Sequence, residues 1–235
     1  MIVFLTGSGI SADSGLKTFR DNQGLWQQYD IRQVCDIETF DQNKAMVFQF
    51  YNERRLEYTD AKPNHAHYTI AKLQQQWSSE HVKIITQNID HLFEKAGCLD
   101  VAHVHGNINE MKCLACEEVF TLGNDQLTIQ SDSLCPNCQQ PELKPNVVFF
   151  NEGASLQSML EILDVMTSED MLVVIGTSGM AIPLNAIVEA VPGYKILNNL
   201  QASDGIDENL FDEIIYETAS KGIEQIKSII NSKAI

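Results

Sequence analysis

Ile2-Val3-Phe4-Leu5-Thr6-Gly7-Ser8-Gly9-Ile10-Ser11-Ala12-Asp13-Ser14-Gly15 is the stretch on which the fold turns. Residues 2–5 are wholly apolar and stop at Thr6-Gly7, as expected of a short strand buried on both faces of a parallel sheet. Small residues follow at once. Gly7-x-Gly9 ahead of a helix start matches half of a dinucleotide fingerprint, in which glycine lets the backbone turn and approach a pyrophosphate. The third glycine position holds Ala12, a tolerated variant. The acidic residue that such a fingerprint places about twenty positions further on is not evident. The segment alone therefore leaves two readings, half a nucleotide site or a tight turn in a buried strand–helix corner.

Outward from this stretch, short apolar runs alternate with helical patterns. Residues 82–86, 101–105, 146–150, 171–175, 194–197 and 214–216 read as further strands. Residues 40–58 look helical. Asn64 is a candidate N-cap after Lys62-Pro63, and Ala66, Ile70, Leu73 and Trp77 mark one helix face. Residues 156–166 also read as helix, and Ile223, Ile226, Ile229 and Ile230 form the stripe of a closing one. This alternation predicts an α/β, Rossmann-like, doubly wound parallel sheet, with ligands at the carboxyl ends of its strands. Residues 109–145 break the pattern and read as a loop-rich insert. The chain has 235 residues, 16 Lys+Arg and 32 Asp+Glu, a formal net charge of −16. Nucleic acid and anionic membrane are not expected partners of so acidic a protein. No run of 18 apolar residues exists and the start lacks a basic leader, so a cytoplasmic location is expected.

Four of the six cysteines form two pairs, Cys113-x-x-Cys116 and Cys135-x-x-Cys138, separated by the 18 residues 117–134. That spacing fits a four-thiolate zinc site, and four protein ligands close the shell, which favours a structural role. A redox pair is the weaker alternative. Cys35 and Cys98 lack partners in sequence and read as small apolar residues.

Taken in order, these motifs resemble those of the sirtuins. Residues 7–20, Gly7-Ser8-Gly9-Ile10-Ser11-Ala12 through Thr18-Phe19-Arg20, resemble the first signature of that family. Thr86-Gln87-Asn88-Ile89-Asp90 resembles the second and His103-Val104-His105-Gly106 the third. The cysteine pairs, Gly176-Thr177-Ser178 and Asn198 follow in the family's order. The resemblance implies an NAD-dependent protein-lysine deacylase, with NAD consumed as co-substrate and one structural zinc. Residues 1–30, 80–108 and 146–235 would then form the NAD-binding domain, 31–79 the helical part of a small domain, and 109–145 its zinc module. The NAD set implied is residues 7–12 with Thr18, Phe19, Arg20, Trp26, Gln87, Asn88, Ile89, Asp90, Gly176, Thr177, Ser178, Asn198 and Ala219. The acyl-lysine carbonyl oxygen would attack C1′ of the nicotinamide ribose, and a neutral imidazole would then deprotonate a ribose hydroxyl. His105 is the expected base, with Asn88 beside it, and His103 is the better candidate for a satisfied structural histidine. Val147, Val148 and Phe149 would line the acyl-lysine tunnel. Asn151 stands where the family commonly has glycine.

Phe50-Tyr51-Asn52-Glu53-Arg54 resembles the Tyr-x-x-Arg pattern of desuccinylase-like members. Three residues apart on a helix, Tyr51 and Arg54 share a face, and a guanidinium fork with a phenol suits a succinyl or malonyl carboxylate. The partners implied are acyl-lysine proteins, with a monomeric enzyme expected. Two readings from other classes compete: a Rossmann oxidoreductase with a structural zinc, and a binding module built on zinc knuckles. The first lacks its acidic ribose residue, and the second leaves His105 and the Gln-Asn-x-Asp cluster without purpose.

Overall fold

The computed structural model describes residues 1–18, 29–123, 127–154 and 156–233. Its elements run β1 (Ile2–Thr6), α1 (Gly9–Ala12), α2 (Ile31–Val34), α3 (Phe40–Asp60), α4 (His65–His81), β2 (Val82–Thr86), α5 (Leu92–Ala96) and β3 (Val101–His103). Then come β4 (Gly106–Cys113), β5 (Val119–Thr121), β6 (Leu143–Val147), α6 (Gln157–Leu163), β7 (Met171–Ile175), α7 (Leu184–Ala190), β8 (Tyr194–Asn199), β9 (Glu213–Tyr216) and α8 (Ala219–Lys233). Six strands make one parallel sheet in the order β3-β2-β1-β7-β8-β9, and β5-β4-β6 make a small antiparallel one.

Every residue of β1 and β7 is buried, because helices cover both faces of the large sheet. Strand alternation divides the side chains. Phe4, Ile84, Val173 and Ile196 pack with Ile70 and Leu73 of α4 and with Ile223, Ile226 and Ile230 of α8. Val3, Leu5, Leu172 and Val174 pack with Met159 and Leu163 of α6 and Leu184 and Val188 of α7. Each such aliphatic side chain contributes roughly 1.5–3 kcal/mol when fully buried. A third core joins Val47, Phe50 and Tyr51 of α3 to Ile108, Met111, Leu143, Val147 and Phe149. Asn64 caps α4 as expected: its side chain accepts from the Ala66 N–H, and His67 reaches back to the Asn64 N–H. Among the described residues no helix is long and apolar enough to cross a membrane.

Four expectations change. The helix after the glycine run is a single turn, because the chain folds back through Ser14 and Gly15, the latter at φ +83°. The strand expected at 146–150 lies at Leu143–Val147, where Leu143 and Pro145 pair with Cys113 and Met111 of β4. The supposed loop-rich insert therefore contains most of a three-stranded sheet. β3 ends at His103, and the chain turns through Val104 and His105 directly into β4, which begins at Gly106. Gly106 sits at φ +81°, and a Cβ there would lie 2.0 Å from the Asn146 carbonyl oxygen. Only glycine permits that crossing from the large sheet to the small one.

Candidate active site and metal centre

The chain reverses its winding direction between β1 and β7, and the loops leaving these strands meet backbone to backbone. Gly7 N–H donates to Ile175 O at 2.9 Å and Gly9 N–H to Gly176 O at 2.8 Å. A Cβ on Gly9 would approach Gly176 Cα to 2.6 Å. The glycines thus serve loop-to-loop packing at the topological switch point, where open α/β sheets bind ligands.

Beside this junction lies a buried polar cluster. Ser11 Oγ donates to Asp90 Oδ2 at 2.9 Å and accepts from Asn88 Nδ2 at 3.0 Å. Asp90 Oδ1 accepts the Leu92 N–H, while burial pushes its carboxyl above the usual range. The Thr86 hydroxyl accepts the Asn88 N–H. Gln87 Nε2 donates to Thr177 Oγ1 at 3.1 Å, tying the β2 loop to the β7 loop. Ile89 turns away and packs on the third core, as its place between two polar residues requires.

Two histidines pin this loop. His105 Nδ1 lies 2.9 Å from the Gln87 carbonyl oxygen. A carbonyl can only accept, so Nδ1 carries the proton and Nε2 keeps its lone pair. Burial lowers the His105 pKa, partly opposed by the Gln87 bond, which favours the neutral base. His103 differs. Its Nδ1 faces the Asn88 carbonyl at 3.0 Å and its Nε2 faces Glu94 Oε1 at 2.8 Å. Two acceptors demand two protons, so His103 is an imidazolium. Burial works against that charge, but the Glu94 hydrogen bond and carboxylate raise its pKa overall.

Of the remaining residues anticipated for the nucleotide, Ser8, Ile10 and Ala12 line the β1 loop and its turn, and Ser178 follows Thr177 on the β7 loop. Thr18 ends the first described segment; Phe19, Arg20 and Trp26 lie outside the described residues. Asn198 donates from Nδ2 to Ile215 O and Glu217 O at 3.0 Å each, and its buried Oδ1 has no hydrogen-bond partner among the described residues. It packs under Gly222 of α8, where a Cβ would come within 2.6 Å of its side chain. Ala219 is buried at the start of that helix. Sequence reasoning missed Asn199, whose Nδ2 donates to Thr177 O at 2.9 Å. The doubled asparagine at a strand end was the available signal.

Val147, Val148 and Phe149 leave β6 beside His105, and the Val148 N–H donates to the His105 carbonyl at 2.9 Å. Tyr51 is buried, stacks on Phe149 at 5.7 Å and donates its hydroxyl to Cys35 Sγ at 3.5 Å. Burial holds its phenol well above the usual pKa. Arg54 lies one turn further along α3, over Phe50. Its Nε is 3.2 Å from Glu57 Oε2, yet that charge contact leaves the buried Nε–H without a hydrogen bond among the described residues. Asn151 takes the left-handed conformation, φ +61°, and its amide donates to the Asp36 carboxylate.

The four cysteines Cys113, Cys116, Cys135 and Cys138 converge, with all Sγ atoms within 4.8 Å of one another. The Cys113–Cys138 and Cys116–Cys135 separations are 3.6 and 3.8 Å. A zinc tetrahedron with bonds of about 2.3 Å has edges of about 3.8 Å, so the thiols fit that ion. Both knuckles are built alike. Glu117 and Gln139 each take φ +60° and donate N–H to the first cysteine's carbonyl, at 2.9 Å in both.

The Sir2 family model matches residues 7–183. An NAD-dependent protein deacylase of Campylobacter jejuni (strain RM1221) is 40% identical over 225 residues, covering 96% of this chain and 93% of that protein. The structure of a Sir2 homologue bound to NAD superposes with a TM-score of 0.82 at 28% identity, over 98% of this chain and 89% of that one. A Sir2–p53 peptide–NAD+ complex gives 0.77 at 28% identity, over 98% and 93%.

Proposed function

The chain belongs to the Sir2 family and is an NAD-dependent protein deacylase, and from that premise we propose that it removes acidic acyl groups, succinyl and malonyl, as well as acetyl. The hydride-transfer and pure binding-module readings fall with that membership. One observation carries the acyl preference: Arg54 keeps a buried Nε–H without a hydrogen bond, one turn from a Tyr51 that stacks on the segment beside His105. A carboxylate at the end of the acyl chain would satisfy that donor.

The residues divide the work as follows. NAD, when bound, supplies an electrophilic ribose carbon and a nicotinamide leaving group. The Gly7–Gly9 and Gly176–Thr177 loops would carry its phosphates, and Asn198 and Asn199 at the end of β8 would meet a ribose. The amides of Gln87 and Asn88, with Ser11 and Asp90, would orient the nicotinamide carboxamide. His105 Nε2 would take a proton from a ribose hydroxyl, with its tautomer set by the Gln87 carbonyl. Val147–Phe149 would line the acyl-lysine channel. The products would be the unmodified lysine, nicotinamide and O-acyl-ADP-ribose. Zinc on the four cysteines would hold the small sheet together and take no part in the chemistry.

The test is nicotinamide release from NAD with acetyl-, malonyl- and succinyl-lysine peptides, for the wild type and Arg54→Met. A hydrogen-bonded carboxylate–guanidinium contact is worth roughly 1.5–3 kcal/mol, or about 10- to 150-fold in kcat/KM. Loss of that size for succinyl-lysine, with acetyl-lysine nearly unchanged, is expected. Equal loss of both activities refutes the carboxylate role.

A further inference from the structure

Lys144 is 2% exposed, and no step of the deacylase chemistry uses its charge. Its Nζ pairs with Glu152 Oε2 at 2.9 Å, donates to Val147 O at 2.6 Å and to Pro145 O at 3.3 Å, and lies 4.0 Å from the Phe149 ring centroid. The same Glu152 oxygen accepts the Phe149 N–H at 2.9 Å, and the Glu152 N–H returns to Phe149 O at 3.1 Å. One ammonium and one carboxylate thus grip both ends of the segment 147–152. Between those grips, the Val148 N–H holds His105 O and the Phe150 N–H holds Cys35 O. With the ammonium buried, the ion pair is a poor source of stability, because the cost of desolvating Lys144 offsets its attraction to Glu152. What it supplies is direction: each bond fixes a backbone group of the segment that runs past His105.

We propose that Lys144 and Glu152 are a positioning pair that sets the acyl-lysine segment 147–149 against His105. The proposal rests on the reading that this segment receives acyl-lysine. Both residues act through the backbone they hold and touch no reacting atom. Their loss therefore reaches the acyl-peptide and leaves the nucleotide loops on the far side of Gln87 and Asn88 as they were.

The test measures kcat, KM for an acyl-lysine peptide and KM for NAD, with zinc content, in the wild type and in Lys144→Met, Lys144→Arg, Glu152→Gln and Val148→Asp. Lys144→Met and Glu152→Gln should raise the peptide KM about tenfold and leave the NAD KM within about twofold. Lys144→Arg, which keeps the charge and the donors, should restore most of the loss. Glu152 is 24% exposed, so its glutamine variant decides the matter if Lys144→Met does not fold. The proposal is overturned if Glu152→Gln leaves the peptide KM unchanged, if both KM values rise together, or if Lys144→Arg is as poor as Lys144→Met. Val148→Asp separates the two levels: if it too spares the peptide KM, segment 147–149 is not the acyl-lysine surface. If it alone raises that KM, only the positioning role falls.

Discussion

Arg54 and Arg55 are adjacent on α3, and methionine at each should give opposite phenotypes. Arg55 is 1% exposed. Its Nε donates to Ile108 O at 2.9 Å, and one terminal nitrogen donates to Asn52 Oδ1 at 2.8 Å and Leu127 O at 2.9 Å. The guanidinium therefore fastens α3 to the small sheet and to the chain beyond it. It has no carboxylate partner in that set, and burial lowers its pKa from 12.5 to about 10. Bonds to a charged donor are worth roughly 1.5–3 kcal/mol each. Removing the buried charge returns about 3 kcal/mol, at 1.36 kcal/mol per pKa unit. The net loss for Arg55→Met is then about 1.5–6 kcal/mol, which lowers Tm by roughly 3–24 °C in a domain of this size. Arg54→Met removes the contact to Glu57 on the same helix and the cation–π contact to Phe50, each worth about 0.5 kcal/mol, so Tm should move by about 2–4 °C. Differential scanning fluorimetry of the zinc-loaded proteins reads both. If Arg55→Met melts within about 2 °C of the wild type, the three bonds do not carry the load assigned to them. If Arg54→Met is the less stable variant, the division of labour is reversed.

The pH dependence of kcat/KM should show an acid limb of unit slope with an apparent pKa below 6.5, because burial depresses His105; His105→Ala should abolish turnover without lowering Tm by more than a few degrees. A limb above pH 7 would assign the base elsewhere. His103 titrates the other way. Its folded-state pKa is raised, so its pairing with Glu94 stabilises the fold fully below its unfolded value and is lost as pH rises through the folded one. The Tm gap between wild type and Glu94→Gln should accordingly be wider near pH 6 than in alkali, narrowing as pH rises through the raised His103 value; a gap that is flat with pH refutes the imidazolium. Cys135→Ala should bind less than stoichiometric zinc and melt lower, and a chelator should reproduce the shift in the wild type, since structural zinc contributes its binding free energy to folding. Full zinc occupancy in that variant, measured by plasma mass spectrometry, would contradict the four-thiolate centre.

Much of this arrangement was legible in the sequence, for reasons that also mark where reading failed. Parallel strands buried on both faces read as short apolar runs, so 82–86 and 171–175 were found to the residue. The Asn64 cap and the paired Cys-x-x-Cys motifs are local chemistry, and local chemistry survives without tertiary information. β4 was hidden because its register shifts between Gly106 and Met111, which breaks the two-residue alternation that announces a strand. β6 was displaced because Pro145 lies within it, and proline is a poor sign of a sheet interior. Asn198 and Asn199 illustrate a parity limit: one residue along a strand exchanges its faces, so only the structure shows which amide meets Thr177 and which lies under Gly222.

Charge shows the same limit most sharply. By sequence, Arg55 and Lys144 are two of 16 cations on a protein of net charge −16, and cations on such a chain read as solvated. Both are instead among the largest fully buried side chains. A buried charge survives only where fixed dipoles or a counter-charge replace water, and here carbonyl oxygens of Ile108, Leu127, Pro145 and Val147 do most of that work. Three of them, on Ile108, Pro145 and Val147, belong to β4 and β6, the strands that follow and flank the turn from β3 into β4. The Val148 N–H next to Val147 holds the His105 carbonyl, so the bond that keeps Lys144 dry also bears on where the His105 turn lies. The acidic exterior then has a separate task. Over a Debye length of about 10 Å it can draw in lysine-rich protein, a long-range effect distinct from the short-range bonds that keep the two buried cations in place.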